Sequence, residues 1–119
     1  MAKVLVVDDA AFMRLNIKQM LESEGHEMVG EASTGLEAVE KYLKVKPEVV
    51  LMDITMPDMN GIEALKRIKI LDPSSKVIMC SAVGQQVMVA EAVKSGAETF
   101  IVKPFTKETL MAAIEKVVG

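Results

Sequence analysis

Short apolar and β-branched runs alternate along the chain with segments whose apolar residues recur every three or four positions. A run of four to six such residues is typical of a buried β-strand, and the longer repeat is typical of an amphipathic helix. The pattern predicts five strands, each followed by a helix. The predicted strands are residues 3–7, 28–32, 48–52, 76–80 and 99–102.

Four of the predicted helices carry a regular apolar stripe, whereas the fourth helix in chain order does not. Within residues 85–94 the apolar side chains are small or spread around the axis, so we expect this helix to pack loosely or to present a binding face. Thr34 and Glu37 have capping-box spacing, and Gly25 and Gly96 stand where helices should end. The regular stripes are Met13, Ile17, Met20 and Leu21; Leu36, Val39 and Leu43; Ile62, Leu65 and Ile68; and Leu110, Ala113, Ile114 and Val117.

Five consecutive βα units with nearly continuous apolar strands predict an α/β fold in which helices cover both faces of a parallel sheet. The chain has 119 residues, of which 50% are hydrophobic, and this length suits one domain with a single sheet.

Composition excludes several classes of protein. The formal net charge is −3 and the chain has no Lys/Arg-rich tract, so we expect no nucleic-acid partner. The single cysteine, Cys80, forms no internal disulfide. Residues 1–7 are too short for the apolar region of a signal peptide, and no apolar run reaches the roughly 18 residues that span a bilayer. We therefore expect a cytoplasmic protein without membrane association.

Polar residues follow four of the five predicted strands. Since ligand sites of open parallel sheets lie beyond the carboxyl ends of the strands, these side chains are expected to converge at one edge. Three carboxylates, one hydroxyl and one amine would meet there. They are Asp8 and Asp9 after the first strand, Asp53 after the third, Ser81 after the fourth and Lys103 after the fifth.

The adjacent carboxylates of Asp8 and Asp9 repel each other, and burial beside a strand would raise the pKa of at least one unless a cation is present. A Mg²⁺ ion would allow Asp8, Asp9 and Asp53 to remain ionised together, and oxygen is the ligand that this ion prefers. Taken singly, Asp9 and Asp53 also suit helix N-caps, Lys103 a solvated charge and Ser81 a turn residue. Their convergence favours a metal and phosphate site.

Other phosphate and metal motifs fail on the same residues. An EF-hand loop aligned on residues 58–61 would begin at Met56 and end at Arg67, which do not supply the required carboxylates. The turn after the first strand lacks the glycines of a nucleotide-binding loop. A phosphatase of the haloacid dehalogenase type needs a second aspartate where this chain has Thr55.

The segments VVDDAAFMR, MDITMPDMNGIEAL, CSAVGQQ and FIVKPF, in this order and spacing, resemble the receiver domains of bacterial two-component response regulators, above all those that control chemotaxis. The resemblance spans the chain. It implies a single-domain (βα)5 flavodoxin-like fold with strand order 2-1-3-4-5. It also implies that residues 1–119 form one receiver domain with no output domain.

The resemblance assigns a role to each polar residue at the predicted edge. Asp53 would be the phosphoacceptor and a metal ligand, and Asp8 and Asp9 would be the acidic pair that binds Mg²⁺. The backbone carbonyl of Thr55 would complete the metal ligands contributed by the protein. Lys103 would contact the phosphoryl group.

Two further residues would form a switch. Ser81 would hydrogen-bond the phosphoryl group after transfer, and Phe100 stands where the family often has a rotating tyrosine, so the phenol hydrogen bond is absent. A phenyl ring can still turn inward once Ser81 moves. By the same resemblance the Lys103–Pro104 bond is expected to be cis.

These residues predict a phosphorylation-activated signalling switch rather than a classical enzyme, although it would catalyse its own phosphorylation and dephosphorylation. The implied partners are a histidine kinase as phosphodonor, a flagellar motor switch protein or other output protein, and a phosphatase, with the switch itself a monomer. A stand-alone phosphorelay intermediate is an alternative. A Mg²⁺-dependent hydrolase is another, but the chain offers no obvious general acid or base beyond the metal carboxylates.

Overall fold

Five strands and five helices alternate along the chain in the computed structural model, which describes residues 1–118. All five predicted βα units are present. Their bounds are β1 (Lys3–Val7), α1 (Ala11–Ser23), β2 (Glu27–Ala32), α2 (Gly35–Val45), β3 (Val49–Asp53), α3 (Gly61–Leu71), β4 (Val77–Ser81), α4 (Gln86–Lys94), β5 (Thr99–Val102) and α5 (Lys107–Val118).

The strands form one parallel sheet in the order β2-β1-β3-β4-β5, which confirms the predicted fold class and strand order. Side chains alternate between its two faces, as the pleat requires. Leu5 and Met52 pack with α2, α3 and α4, whereas Val6 and Leu51 pack with α1 and α5. Every residue of β3 and β4 is buried, so the centre of the sheet is a rigid platform for its carboxyl edge.

The predicted strand bounds are correct at β1 and β5 and differ by one residue elsewhere. β3 and β4 each begin and end one residue later than predicted, and β2 begins one residue earlier. The shift changes the placement of two polar residues. Asp53 pairs with Cys80 and is the last residue of β3, and Ser81 is the last residue of β4. Both side chains are therefore oriented by sheet pleat rather than by a mobile loop.

The predicted stripes of α1, α3 and α5 are confirmed, with their central residues buried. The predicted stripe of α2 is confirmed at Val39, which packs against the core, and is wrong at its two leucines. Leu36 and Leu43 are about half exposed, and α2 instead buries Ala38 and Tyr42. The phenol of Tyr42 donates to Asp72 Oδ2 at 2.7 Å, and this contact fixes which face of the helix meets the core. The same bond and burial raise the pKa of Tyr42 to about 12.

α4 is the least buried helix, as its sequence predicts. Ala92 is its one fully buried residue, while Val87 and Val93 are exposed. Met88 and Val89 are partly buried and attach the helix to the core. The consequence is an apolar helix face that lies open beside β5.

The predicted helix ends are largely confirmed. Thr34 accepts a hydrogen bond from the Glu37 backbone at 3.1 Å, as in a capping box, but the Glu37 carboxylate returns to the backbone N–H of Ser33 rather than to that of Thr34. Gly25 and Gly96 have φ angles of 80° and 110°, which glycine adopts without strain.

Gly61 permits the close approach that shapes the edge beside Asp53. A Cβ at this position would collide with the backbone carbonyl of Asp53, and the Gly61 N–H donates to the carbonyl of Ile54 at 2.6 Å. The first turn of α3 is thereby held directly against the end of β3. The loop between them, residues 54–60, closes over the edge of the sheet.

Candidate functional site

Three carboxylates converge at the carboxyl edge of the two central strands. One oxygen each of Asp8, Asp9 and Asp53 lies within 4.8 Å of the others. The convergence follows from the strand register. Val7 of β1 is paired with Met52 of β3, and an aspartate directly follows each of these two residues. Asp8 and Asp53 are buried and Asp9 is exposed, so the cluster opens to solvent on one side.

Asp8 is fixed by four hydrogen bonds, one of them from its backbone N–H to the carbonyl of Ala32 at 3.0 Å. Its Oδ1 accepts from the backbone N–H of Ala10 at 2.9 Å, and its Oδ2 accepts from Lys103 Nζ at 2.6 Å. Its backbone carbonyl accepts from Arg14 Nη1 at 2.6 Å, and the Nε of Arg14 pairs with Glu31 at 2.6 Å. The end of β1 is thus anchored by side chains on both sides.

The alternative roles of the aspartates as helix caps are wrong. The N-cap of α1 is Ala10, with no side-chain cap, so Asp9 does not serve there. Asp53 is still within β3. With their side chains free of capping bonds, both carboxylates remain available to a ligand.

Lys103 crosses from the end of β5 to the acidic cluster. Its Nζ lies 2.6 Å from Asp8 Oδ2 and 3.4 Å from Asp53 Oδ2, so it is not a solvated surface charge. Its backbone N–H donates to the carbonyl of Ser81 at 2.8 Å, and the Lys103–Pro104 bond is cis, as predicted. Burial opposes the charge of the ammonium, but the hydrogen bond to Asp8 and attraction to both carboxylates outweigh it and raise the pKa of Lys103.

The carboxyl of Asp53 is under opposing influences. Burial raises its pKa, the positive charge of Lys103 lowers it, and the negative charge of Asp8 raises it again, with a net rise above the ordinary value. One ammonium therefore does not fully compensate the two buried carboxylates.

The donor set fits a hard divalent cation. Three carboxylates offer oxygens from one compact cluster, which is half of the six ligands that Mg²⁺ takes, and the exposed side leaves room for water or phosphate oxygens. Burial is the largest cause of the raised pKa of Asp53, and a cation there would oppose it by stabilising the ionised carboxylate.

The remaining predicted residues surround this cluster. Ser81 is buried at the end of β4, and its own backbone carbonyl accepts the hydrogen bond from the backbone N–H of Lys103. Thr55 lies on the loop after Asp53 with an exposed side chain, whose hydroxyl accepts from Gln85 Nε2 at 2.8 Å. Phe100 is 43% exposed on β5. The structure thus gathers Asp8, Asp9, Asp53 and Lys103, with Ser81 at the end of β4, Thr55 on the loop after β3 and Phe100 exposed on β5.

An apolar groove of about 630 Å³ extends from Ser81 along α4 and β5. Val89 and Val93 of α4 and Phe100 and Val102 of β5 line its walls. Because Phe100 forms part of this wall, a movement of its ring would change the shape of the groove.

Sequence patterns missed two residues that organise the site. Arg14 anchors the carbonyl of Asp8, and Gln85 bonds to the loops after β3 and β4. Both lie in segments that carry the family resemblance, but the sequence assigns neither of them a role, because each acts on a backbone group or hydroxyl brought near only by the fold.

Comparison with known proteins defines the class. Residues 4–115 match the response regulator receiver domain, and the chain belongs to this family. It is 56% identical to the chemotaxis protein CheY of Thermotoga maritima, over 97% of this chain and 96% of that protein. It is 57% identical to the CheY of Listeria monocytogenes, over 98% of each. Both of these relatives are named as chemotaxis proteins.

Solved structures agree with the sequence relatives. A receiver domain protein from Clostridium thermocellum superposes with a TM-score of 0.93 at 32% identity, over 99% of this chain and 94% of that one. A complex of CheX, CheY, BeF₃ and Mg²⁺ from Borrelia burgdorferi superposes with a TM-score of 0.90 at 38% identity, over 94% and 85%. Within residues 1–118, none of the helices has the length and apolar character to cross a bilayer.

The raised pKa of Asp53 predicts a pH-dependent gain in stability for Asp53→Asn. A carboxyl whose pKa is raised by folding destabilises the folded state once it ionises, so this cost grows as the pH rises from the ordinary value near 3.8 through the folded value. Without metal at pH 7, Asp53→Asn should therefore melt a few degrees above the wild type. The gain should vanish below the ordinary carboxyl pKa.

Asp58→Asn is the matched control for this measurement. The exposed Asp58 carboxylate accepts from the N–H of Gly35, and its pKa is lowered, so its removal should bring no gain at pH 7. Thermal unfolding in EDTA across pH 3 to 8 makes the comparison. Equal melting temperatures for the wild type and Asp53→Asn at pH 7 would contradict the account of the cluster.

Proposed function

We propose that this chain is a phosphorylation-activated switch in which Asp53 accepts a phosphoryl group from a histidine kinase in the presence of Mg²⁺. The observation that carries the proposal is the convergence of Asp8, Asp9, Asp53 and Lys103 at one sheet edge. Two further carboxylates beside a buried acid are unfavourable unless positive charge is also bound. The three carboxylates suit a metal ion, and the ammonium of Lys103 suits a phosphoryl group.

The transfer needs a nucleophile and positive charge. An ionised Asp53 oxygen attacks phosphorus, its O–P bond forms, and the bond from phosphorus to the imidazole nitrogen of the donor breaks, which yields an acyl phosphate. Lys103, 3.4 Å from Asp53, stabilises charge on the phosphoryl oxygens. Bound Mg²⁺ supplies Lewis-acid stabilisation of the same charge. Water later cleaves the acyl phosphate, so the signal is reversible.

Asp8 contributes by positioning. Its Oδ2 holds Lys103 Nζ at 2.6 Å, while its Oδ1 is bound to the backbone of Ala10, so the ammonium is oriented before phosphorylation. The backbone carbonyl of Thr55 would join Asp8, Asp9 and Asp53 in holding the metal.

Phosphorylation then alters the apolar groove. The new charge on Asp53 draws the Ser81 hydroxyl and Lys103 toward it. Movement of Ser81 frees space into which Phe100 turns from its exposed position on β5. The face formed by α4, β5 and α5 is the output surface, and its apolar groove suits an apolar partner segment.

The relatives support the choice of partners. The sequence relatives are named chemotaxis proteins, and a similar solved structure is the complex of CheX, CheY, BeF₃ and Mg²⁺ from Borrelia burgdorferi. We assign the flagellar motor switch as the output partner, and a phosphatase as the protein that promotes removal of the phosphoryl group. Such a partner must bind the phosphorylated form more tightly, because a ligand shifts only an equilibrium whose two states it distinguishes.

Mg²⁺ should stabilise the folded chain, and Asp9→Ala should remove most of that stabilisation. Asp9 is the exposed member of the cluster, so its loss deletes a ligand without opening a core cavity. At a Mg²⁺ concentration of about 100 times the Kd, the stabilisation of the wild type is about 2.7 kcal/mol. Thermal unfolding with Mg²⁺ or EDTA measures it, with Asp58→Ala as an exposed control that keeps the full effect. Equal Mg²⁺ responses in the wild type and Asp9→Ala would refute the metal assignment.

Incubation with acetyl phosphate and Mg²⁺ should add one labile phosphoryl group at Asp53. Asp53→Asn should abolish the adduct because an amide is a poor nucleophile at phosphorus, whereas Asp58→Asn should leave it intact. Lys103→Met should slow its formation, since the ammonium beside Asp53 is lost. Intact-protein and peptide mass spectrometry locate the group. An unchanged adduct on Asp53→Asn, or an adduct on Ser81, would show that the nucleophile is wrong.

A further inference from the structure

The side-chain amide of Gln85 joins the two loops that flank the phosphorylation site. Its Oε1 accepts from the backbone N–H of Ala82 at 2.6 Å, and its Nε2 donates to the hydroxyl of Thr55 at 2.8 Å. Ala82 directly follows Ser81, and Thr55 lies two residues after Asp53. One amide therefore connects the loop after β4 to the loop after β3; we call these two bonds the Gln85 clasp.

One bond of the clasp uses the backbone N–H of Ala82, which is not hydrogen-bonded to the neighbouring strand. Along the parallel pair β3–β4, the N–H of Ile54 donates to the carbonyl of Cys80 at 3.1 Å, so the next bond in register would run from the Ala82 N–H to the Ile54 carbonyl. That carbonyl instead accepts from Gly61 at 2.6 Å. The Ala82 N–H depends on a side chain, which can be exchanged without opening the sheet.

A displacement of Ser81 toward Asp53 strains this arrangement. Ser81 and Ala82 share a peptide bond, so the Ala82 N–H moves with Ser81, whereas Gln85 is held as the N-cap residue of α4 and by Thr55. A hydrogen bond of 2.6 Å does not survive such a shift unless Gln85 follows. The clasp therefore opposes the loop movement that the phosphoryl group demands.

We propose that Gln85 is a positioning residue whose clasp holds the unphosphorylated loop and must release for activation. The proposal rests on the proposed function, because it concerns the same movement of Ser81. A contact made only in the resting state reduces affinity for any ligand of the active state. Loss of the clasp should thus favour the activated form.

The test is an NMR titration of the full chain with beryllofluoride at saturating Mg²⁺, followed at the Ala82 amide. Gln85→Ala should lower the half-saturating concentration about three- to tenfold, the factor expected for one or two net hydrogen bonds. Gln85→Met, which keeps the side-chain length, should do the same. Thr55→Val should give a smaller decrease, and combining it with Gln85→Ala should add nothing further, since both remove one interaction.

Gln86→Ala is the matched control. Gln86 is the neighbouring glutamine, exposed, and without a side-chain hydrogen bond to the part of the chain that the structure describes, so its variant should titrate as the wild type does. If the wild type binds beryllofluoride but Gln85→Ala and Gln85→Met bind it no more tightly, the clasp is refuted and the proposed function stands. If the wild type does not bind it, the proposed function fails as well.

Discussion

The ammonium of Lys103 between Asp8 and Asp53 is the interaction on which the rest of the site depends. It lies 2.6 Å from Asp8 and 3.4 Å from Asp53, and its positive charge opposes the rise that burial causes in the pKa of Asp53. Strand order explains the arrangement, because β1 and β3 are neighbours and β5 ends on the same edge. Its positive charge nevertheless leaves the pKa of Asp53 raised, and this residual imbalance makes the edge receptive to a cation.

The same lysine links the charge cluster to the apolar groove beside α4 and β5. Its backbone N–H is bonded to Ser81, and β5 immediately before it carries Phe100 at the rim of the groove. In the proposed switch, a charge added to Asp53 acts on β5 through covalent and hydrogen-bonded neighbours rather than through the centre of the sheet. α4 buries only Ala92 completely, so repacking beside it exposes little new apolar area.

The sequence predicted the parts of the structure that depend on periodicity and on strand ends. Apolar runs gave the strands within one residue, and polar residues after those runs gave the acidic cluster because parallel strands share one carboxyl edge. The rotation of α2 was not predictable from its leucines, because the bond from Tyr42 to Asp72 joins residues distant in sequence. The roles of Arg14 and Gln85 were not predicted for a similar reason, because each binds a backbone group whose position only the folded chain defines.

The central claim is that charge at Asp53 reaches the α4–β5 surface through Lys103. Amide NMR spectra of the wild type and Lys103→Met, each with Mg²⁺ alone and with Mg²⁺ plus beryllofluoride, test it most directly. The account predicts that beryllofluoride shifts amides near Asp53 and also at Phe100, Val102 and α4 in the wild type. In Lys103→Met any shifts should stay at the acidic edge. Wild-type shifts confined to that edge, or the same distant shifts in both proteins, would contradict the claim.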